Sequence, residues 1–171
     1  YGTIPTSATF LSQSFDTHAR ERGLCPVIAS TLRSPTEEIR IVETLISYAI
    51  DSLFIAGATD PDSLSELCRA ANLPHVYVDL PGINAPSVVT DNFHGARLLA
   101  REIIHNMPKG TGPRSKPYFI GGAANDYASA KRLDAFRNAV AESGDQISED
   151  QIIACGYSPK SAASAIADLC D

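Results

Sequence analysis

The feature that most constrains this chain is an alternation. Short apolar runs such as Leu53-Phe54-Ile55-Ala56, His75-Val76-Tyr77-Val78 and Tyr118-Phe119-Ile120 recur between longer amphipathic segments. A strand-length apolar run followed by a segment with 3.6-residue periodicity is the signature of the βαβ unit. Repeated, it implies a parallel sheet covered by helices on both faces and joined by right-handed crossovers. The spacing predicts helices over about 8–22, from Ser34, and over 62–71, 92–105, 127–143 and 159–169. It predicts strands over 24–30, 52–56, 75–79, 87–90, 117–120 and 151–155. The helix after Ser34 carries a start signal: Ser34 can cap, Pro35 suits the first helical position, and Glu37 follows three residues after the cap. Its apolar positions Ile39, Val42, Leu45, Ile46 and Ala49 imply one buried face. The fold class is α/β.

Composition narrows the function classes. With 171 residues the chain suffices for one domain or two small lobes, and 44% hydrophobic with 20% charged residues is globular. No apolar run approaches the roughly 20 residues of a membrane span. The four cysteines, Cys25, Cys68, Cys155 and Cys170, form no C-x-x-C pair, so reduced thiols in a cytoplasmic protein are expected. The N-terminus lacks the pattern of a signal peptide. A net charge of -6 without a lysine and arginine stripe argues against direct grip on nucleic acid.

Several enzymatic motifs come close and miss. Lys109-Gly110-Thr111-Gly112-Pro113 lacks the P-loop pattern, and Gly121-Gly122-Ala123-Ala124 is not a dinucleotide fingerprint. Gly156-Tyr157-Ser158-Pro159-Lys160 ends in lysine where a nucleophile elbow needs glycine. The four histidines have no metal-ligand spacing, and neither metal nor cofactor is expected. In open parallel sheets ligands bind beyond the carboxyl ends of the strands. Those ends carry Ser30 and Thr31, Gly57 with Thr59 and Asp60, Asp79, Thr90 with Asp91 and Asn92, and Gly121 to Asp126. Such groups suit a small polyhydroxylated ligand, and they equally suit turns and helix caps. Arg132 lies at the edge of the Leu133, Phe136 and Val140 stripe, near a strand's carboxyl end. It is expected either to reach a ligand or to pair with Asp79, Asp91 or Asp126.

Two longer stretches add a resemblance. VYVDLPGINAPSVVTDNFHGARLLAREII (76–104) and PYFIGGAANDYASAKRLDAFRNAV (117–140) contain V-D, V-x-x-D-N-x-x-G-A, I-G-G and R-x-x-A-F in that order, and A-R-E-R-G at 19–23 is a weaker match. The chain thereby resembles the effector-binding domain of the LacI/GalR family of bacterial transcription regulators, whose fold is shared with periplasmic sugar-binding proteins. The resemblance implies a periplasmic-binding-protein-like fold of two Rossmann-like lobes with parallel sheets, residues 1–90 in the N-terminal lobe and 91–171 in the C-terminal one. It implies a fragment: a first strand missing or abbreviated around Tyr1 to Ser7, an incomplete second lobe, and no DNA-binding helix-turn-helix. Binding of a sugar or similar small effector, no enzymatic step, a homodimer and operator contact only through the absent helix-turn-helix follow. Carried over by position, Arg132 would hold effector hydroxyls or a carboxylate. Asp79 would be the acidic residue ending a strand, Thr90 and Asp91 would stand at the crossover, and Asp126 and Ala128 would lie in the loop before the arginine. Ala128 has no polar side-chain atom to contribute there. The competing readings are an extracytoplasmic sugar-binding transport protein and an α/β enzyme.

Overall fold

A computed structural model describes residues 7–82, 84–108, 110, 115–123, 126–156 and 158–170. Residues 1–6, where a first strand is expected to be missing or abbreviated, most of the Lys109–Pro113 stretch, Ala124 and Tyr157 lie outside the described residues. By its contacts the chain divides into two compact units, residues 1–53 with 58–74, and residues 54–57 with 75–171.

In the first unit, helix α1 (Ser7–Glu21) precedes an extended segment and helix α2 (Pro35–Ser47) packs on helix α3 (Pro61–Ala70). Ser34 caps α2 by accepting the Glu37 N–H, and Pro35 opens the helix, as its start signal predicts. Asp60 caps α3 in the same manner through Ser63 N. The buried residues here are Ala19, Val42, Leu64, Ser65, Cys68 and Leu73, together with one acid, Glu38. Glu38 is 3% exposed because its carboxylate accepts hydrogen bonds from the Thr59 backbone N–H at 2.9 Å and from Thr59 Oγ1 at 2.9 Å. Burial of a carboxylate is tolerated when donors replace its water.

Two expectations change in this unit. Residues 24–30 form no strand among the described residues, and Val27 and Ile28 stand exposed. A β-branched run becomes a strand only when a neighbour accepts its ladder bonds, whatever its local preference. The apolar face of α2 is also narrower than its period suggests. Only Val42 of the expected row is buried, Ile39 is exposed, and Ala49 lies beyond the helix at φ 53°.

The second unit holds both sheets. Strand β1 (Leu53–Ala56) begins at its margin and joins β2 (His75–Val78) and β3 (Ser87–Val88) in the order β1-β2-β3, with β2 and β3 parallel. After helix α4 (Asn92–Asn106), strand β4 (Phe119–Gly121) pairs in parallel with β5 (Ile152–Ala154), with helix α5 (Tyr127–Glu142) between them and α6 (Pro159–Cys170) following. A 3-10 turn, Glu149–Gln151, precedes β5. There the buried Gln151 accepts from Ser148 N and Oγ and donates to Pro117 O, joining the starts of β4 and β5.

The core of this unit is the α4–α5 interface. Ala100, Phe136, Ala139 and Val140 are buried together, with Ile104, Phe119, Leu133 and Ile147 packed around them. Phe119 meets Phe136 with ring centroids 5.5 Å apart, within the range favourable for aromatic pairs. Arg97 and Arg101 of α4 both reach Glu142 of α5 across the rim of this interface.

Candidate functional site

The elements of the second unit place three expected residues, Asp79, Thr90 and Arg132, along one connected path. Asp79 follows β2 directly and adopts φ 55°, a left-handed conformation that aspartate tolerates better than most residues. Its backbone N–H donates to Val88 O at 2.8 Å, extending the β2–β3 pairing by one step. Its Oδ1 accepts the Thr90 N–H at 3.4 Å, so the acid and the chain leaving β3 are held together. Asp91 caps α4, its Oδ1 accepting from His94 N at 3.0 Å.

Asn92, the first residue of α4, is 6% exposed. Its Nδ2 donates to Thr90 O at 3.2 Å, and its Oδ1 accepts from Arg132 Nε at 2.7 Å. Arg132 stands in the second turn of α5, exposed, past the first turn where the helix dipole would oppose a cation most. The pairing with Asp79, Asp91 or Asp126 expected as the alternative role of Arg132 is not found. Arg132 makes no ion pair among the described residues, and its one hydrogen bond there goes to a neutral amide. Its two Nη groups, with four of its five donors, keep no protein partner among them.

Asp126 and Ala128 occupy the start of α5 rather than a free loop. Asp126 is the N-cap, accepting the Ser129 N–H at 2.9 Å, and Ala128 is buried. Ser129, also buried, accepts the Gly122 N–H through Oγ at 3.0 Å, which closes the turn between β4 and α5. Gly121 is required sterically: a Cβ there would collide with the Phe119 ring and lie 3.1 Å from Ser129 Oγ. The site thus gathers Asp79, Thr90 and Arg132 through Asn92, while Asp91 and Asp126 cap the two helices that carry it. Asn92 was visible in the sequence as one half of the D-N pair, but no spacing rule linked it to an arginine 40 positions away.

Elsewhere, a cleft of about 700 Å³ is lined by Thr9, Ser12, Gln13, Asp16, Thr17 and Ile28, and by none of the expected ligand residues. No group of histidines, cysteines and acids suited to a metal exists among the described residues. No helix there is long and apolar enough to cross a membrane.

Known proteins supply an independent comparison. No family model matches the chain. It is 42% identical over 112 residues to the ribitol operon repressor of Klebsiella aerogenes, covering 66% of this chain and 42% of that protein. It is 28% identical over 165 residues to the sucrose operon repressor of Klebsiella pneumoniae, covering 93% of this chain and 46% of that protein. The chain therefore spans less than half the length of these curated relatives. Among solved structures, a LacI-family sugar-binding transcriptional regulator from Escherichia coli, complexed with phosphate, superposes with a TM-score of 0.76 at 20% identity. That match covers 94% of this chain and 56% of the other. These sequence relatives are operon repressors, and in fold this chain is similar to a LacI-family sugar-binding regulator.

Proposed function

We propose that this chain forms much of the effector-binding domain of a cytoplasmic, homodimeric transcriptional repressor, and that its effector is a sugar or sugar alcohol. The observation that carries this reading is Arg132. A guanidinium held by Nε to a buried asparagine, with its Nη groups unclaimed among the described residues, is organised to grip a ligand rather than to close an internal ion pair. Asp79, Thr90, Asp91 and Asp126 stand at the same strand and helix ends and supply acceptors or a hydroxyl for ligand hydroxyls. Ala128 offers only its backbone and the space its small side chain leaves. Since the ribitol operon repressor is 42% identical over its matched part, ribitol is the first effector to test.

The lobe boundary proposed at residue 90 follows the sheets, β1 to β3 before it and β4 and β5 after it, rather than the compact units. An effector that touches both lobes stabilises one hinge angle over another, and coupling of about 1–3 kcal/mol would suffice to change operator affinity several-fold. Similarity to operon repressors favours this reading over a transport protein. In the full-length protein, Arg132→Ala is expected to weaken ribitol binding at least tenfold, about 1.4 kcal/mol, with an unchanged far-UV spectrum. Isothermal calorimetry and ribitol-dependent release of operator DNA measure this, and unchanged affinity would remove Arg132 from the site. Sucrose serves as the comparison ligand.

A further inference from the structure

Resting on that reading of Arg132, we propose that Asn92 is a positioning residue for effector recognition. It turns the guanidinium so that the Nη1/Nη2 edge alone is offered to the ligand, and it ties that orientation to the chain at Thr90. Arginine only donates and a backbone carbonyl only accepts, so the atom facing Arg132 Nε must be Oδ1 and the atom facing Thr90 O must be Nδ2. Both orientations agree, and no other side chain of this length both accepts from one neighbour and donates to the other. At 6% exposure the amide is shielded from water that would otherwise compete for both bonds.

This arrangement restricts the ligand. A guanidinium has two edges for paired recognition, one through Nε and one through both Nη groups. Asn92 closes the first, so the ligand must bring two neighbouring oxygens to the second. Adjacent hydroxyls of a polyol chain meet that requirement, as do the oxygens of a carboxylate. The side chain is also held before the ligand arrives, which lowers the ordering cost of binding.

Side-chain Nε–H exchange of Arg132, followed by NMR in the full-length protein without ligand, tests the positioning directly. Protection is expected in the native protein and in Asn92→Asp, which keeps an acceptor for Nε, and is expected to vanish in Asn92→Ala. Protection that persists in Asn92→Ala overturns the proposal. Ribitol calorimetry forms the second arm. Asn92→Ala is expected to bind about tenfold more weakly. Asn92→Asp is expected to bind more weakly too, because its second oxygen faces Thr90 O and its charge engages the guanidinium. Arg137→Ala, which loses only the exposed pair with Glu149, should bind as the native protein does. Lost protection with unchanged ribitol affinity in Asn92→Ala would also overturn the proposal. Unchanged affinity in Arg132→Ala would instead defeat the effector reading, and absence of any ribitol binding would defeat the polyol assignment, while the exchange arm still decides whether Asn92 holds the arginine.

Discussion

Single residues in this chain repay attention to what surrounds them rather than to what they are. Gly121 is the clearest case, since it reads in sequence as a turn-former but lies in β4 against an aromatic ring. Gly121→Ala forces Phe119 out of its stack on Phe136 and is expected to cost about 1–3 kcal/mol, measured by urea unfolding. Gly57, by contrast, has φ 67° and open space around it, so its requirement is conformational. The cysteines separate by environment as well. Cys25 is exposed, whereas Cys68 and Cys155 are buried, and burial pushes the Cys68 thiol above its ordinary pKa. Thiol labelling of the native protein, mapped by mass spectrometry, should modify Cys25 and spare Cys68 and Cys155 until denaturant is added.

At the scale of elements, the start of α2 was legible because its signal is local, and the structure adds three caps of the same kind. Ser34, Asp60, Asp91 and Asp126 each cap the helix that follows, through a bond to the N–H three residues on. Helix faces were less legible. The stripe of α5 was visible at Phe136 and Val140, yet α2 buries Glu38 and exposes Ile39, because Thr59 supplies donors from a distant loop. The α4–α5 interface concentrates the apolar burial of the second unit, so Phe136→Ala should destabilise by about 3–5 kcal/mol through lost transfer and cavity terms. A change in urea midpoint without a change in slope would locate the effect in stability rather than in compactness. The strand expected over 24–30 does not form among the described residues, since strand formation depends on a partner that local composition does not specify.

For the molecule as a whole, surface carboxylates set the response to acid. Asp16 beside Arg20, Glu37 beside Arg40 and Asp60 bonded by Ser63 are all held below the usual carboxylate range. A carboxyl with a depressed folded pKa contributes stability that is fully present above its unfolded value and is lost as pH falls through its folded value. The melting temperature is therefore expected to hold near neutral pH and to decline below about pH 4. The pairs with Arg20 and Arg40 are exposed, so 0.5 M salt should flatten part of that decline. A melting temperature that rises on acidification would contradict the assignment of these groups.

Sequence by itself determined the α/β class, most of the order of the elements, the Ser34 cap and the likeness to LacI-family regulators, because periodicity, caps and motif order are properties of neighbours along the chain. Arg132 was also identifiable there, at the edge of a buried stripe. Only the tertiary structure decided what Arg132 touches. It meets neutral Asn92 rather than any of the three acids considered, and Asn92 in turn holds Thr90. That outcome rests on two helices folding so that residues 40 positions apart come within 2.7 Å, and on burial that makes each unsatisfied donor or acceptor costly. Neither condition is written in any local stretch of the chain.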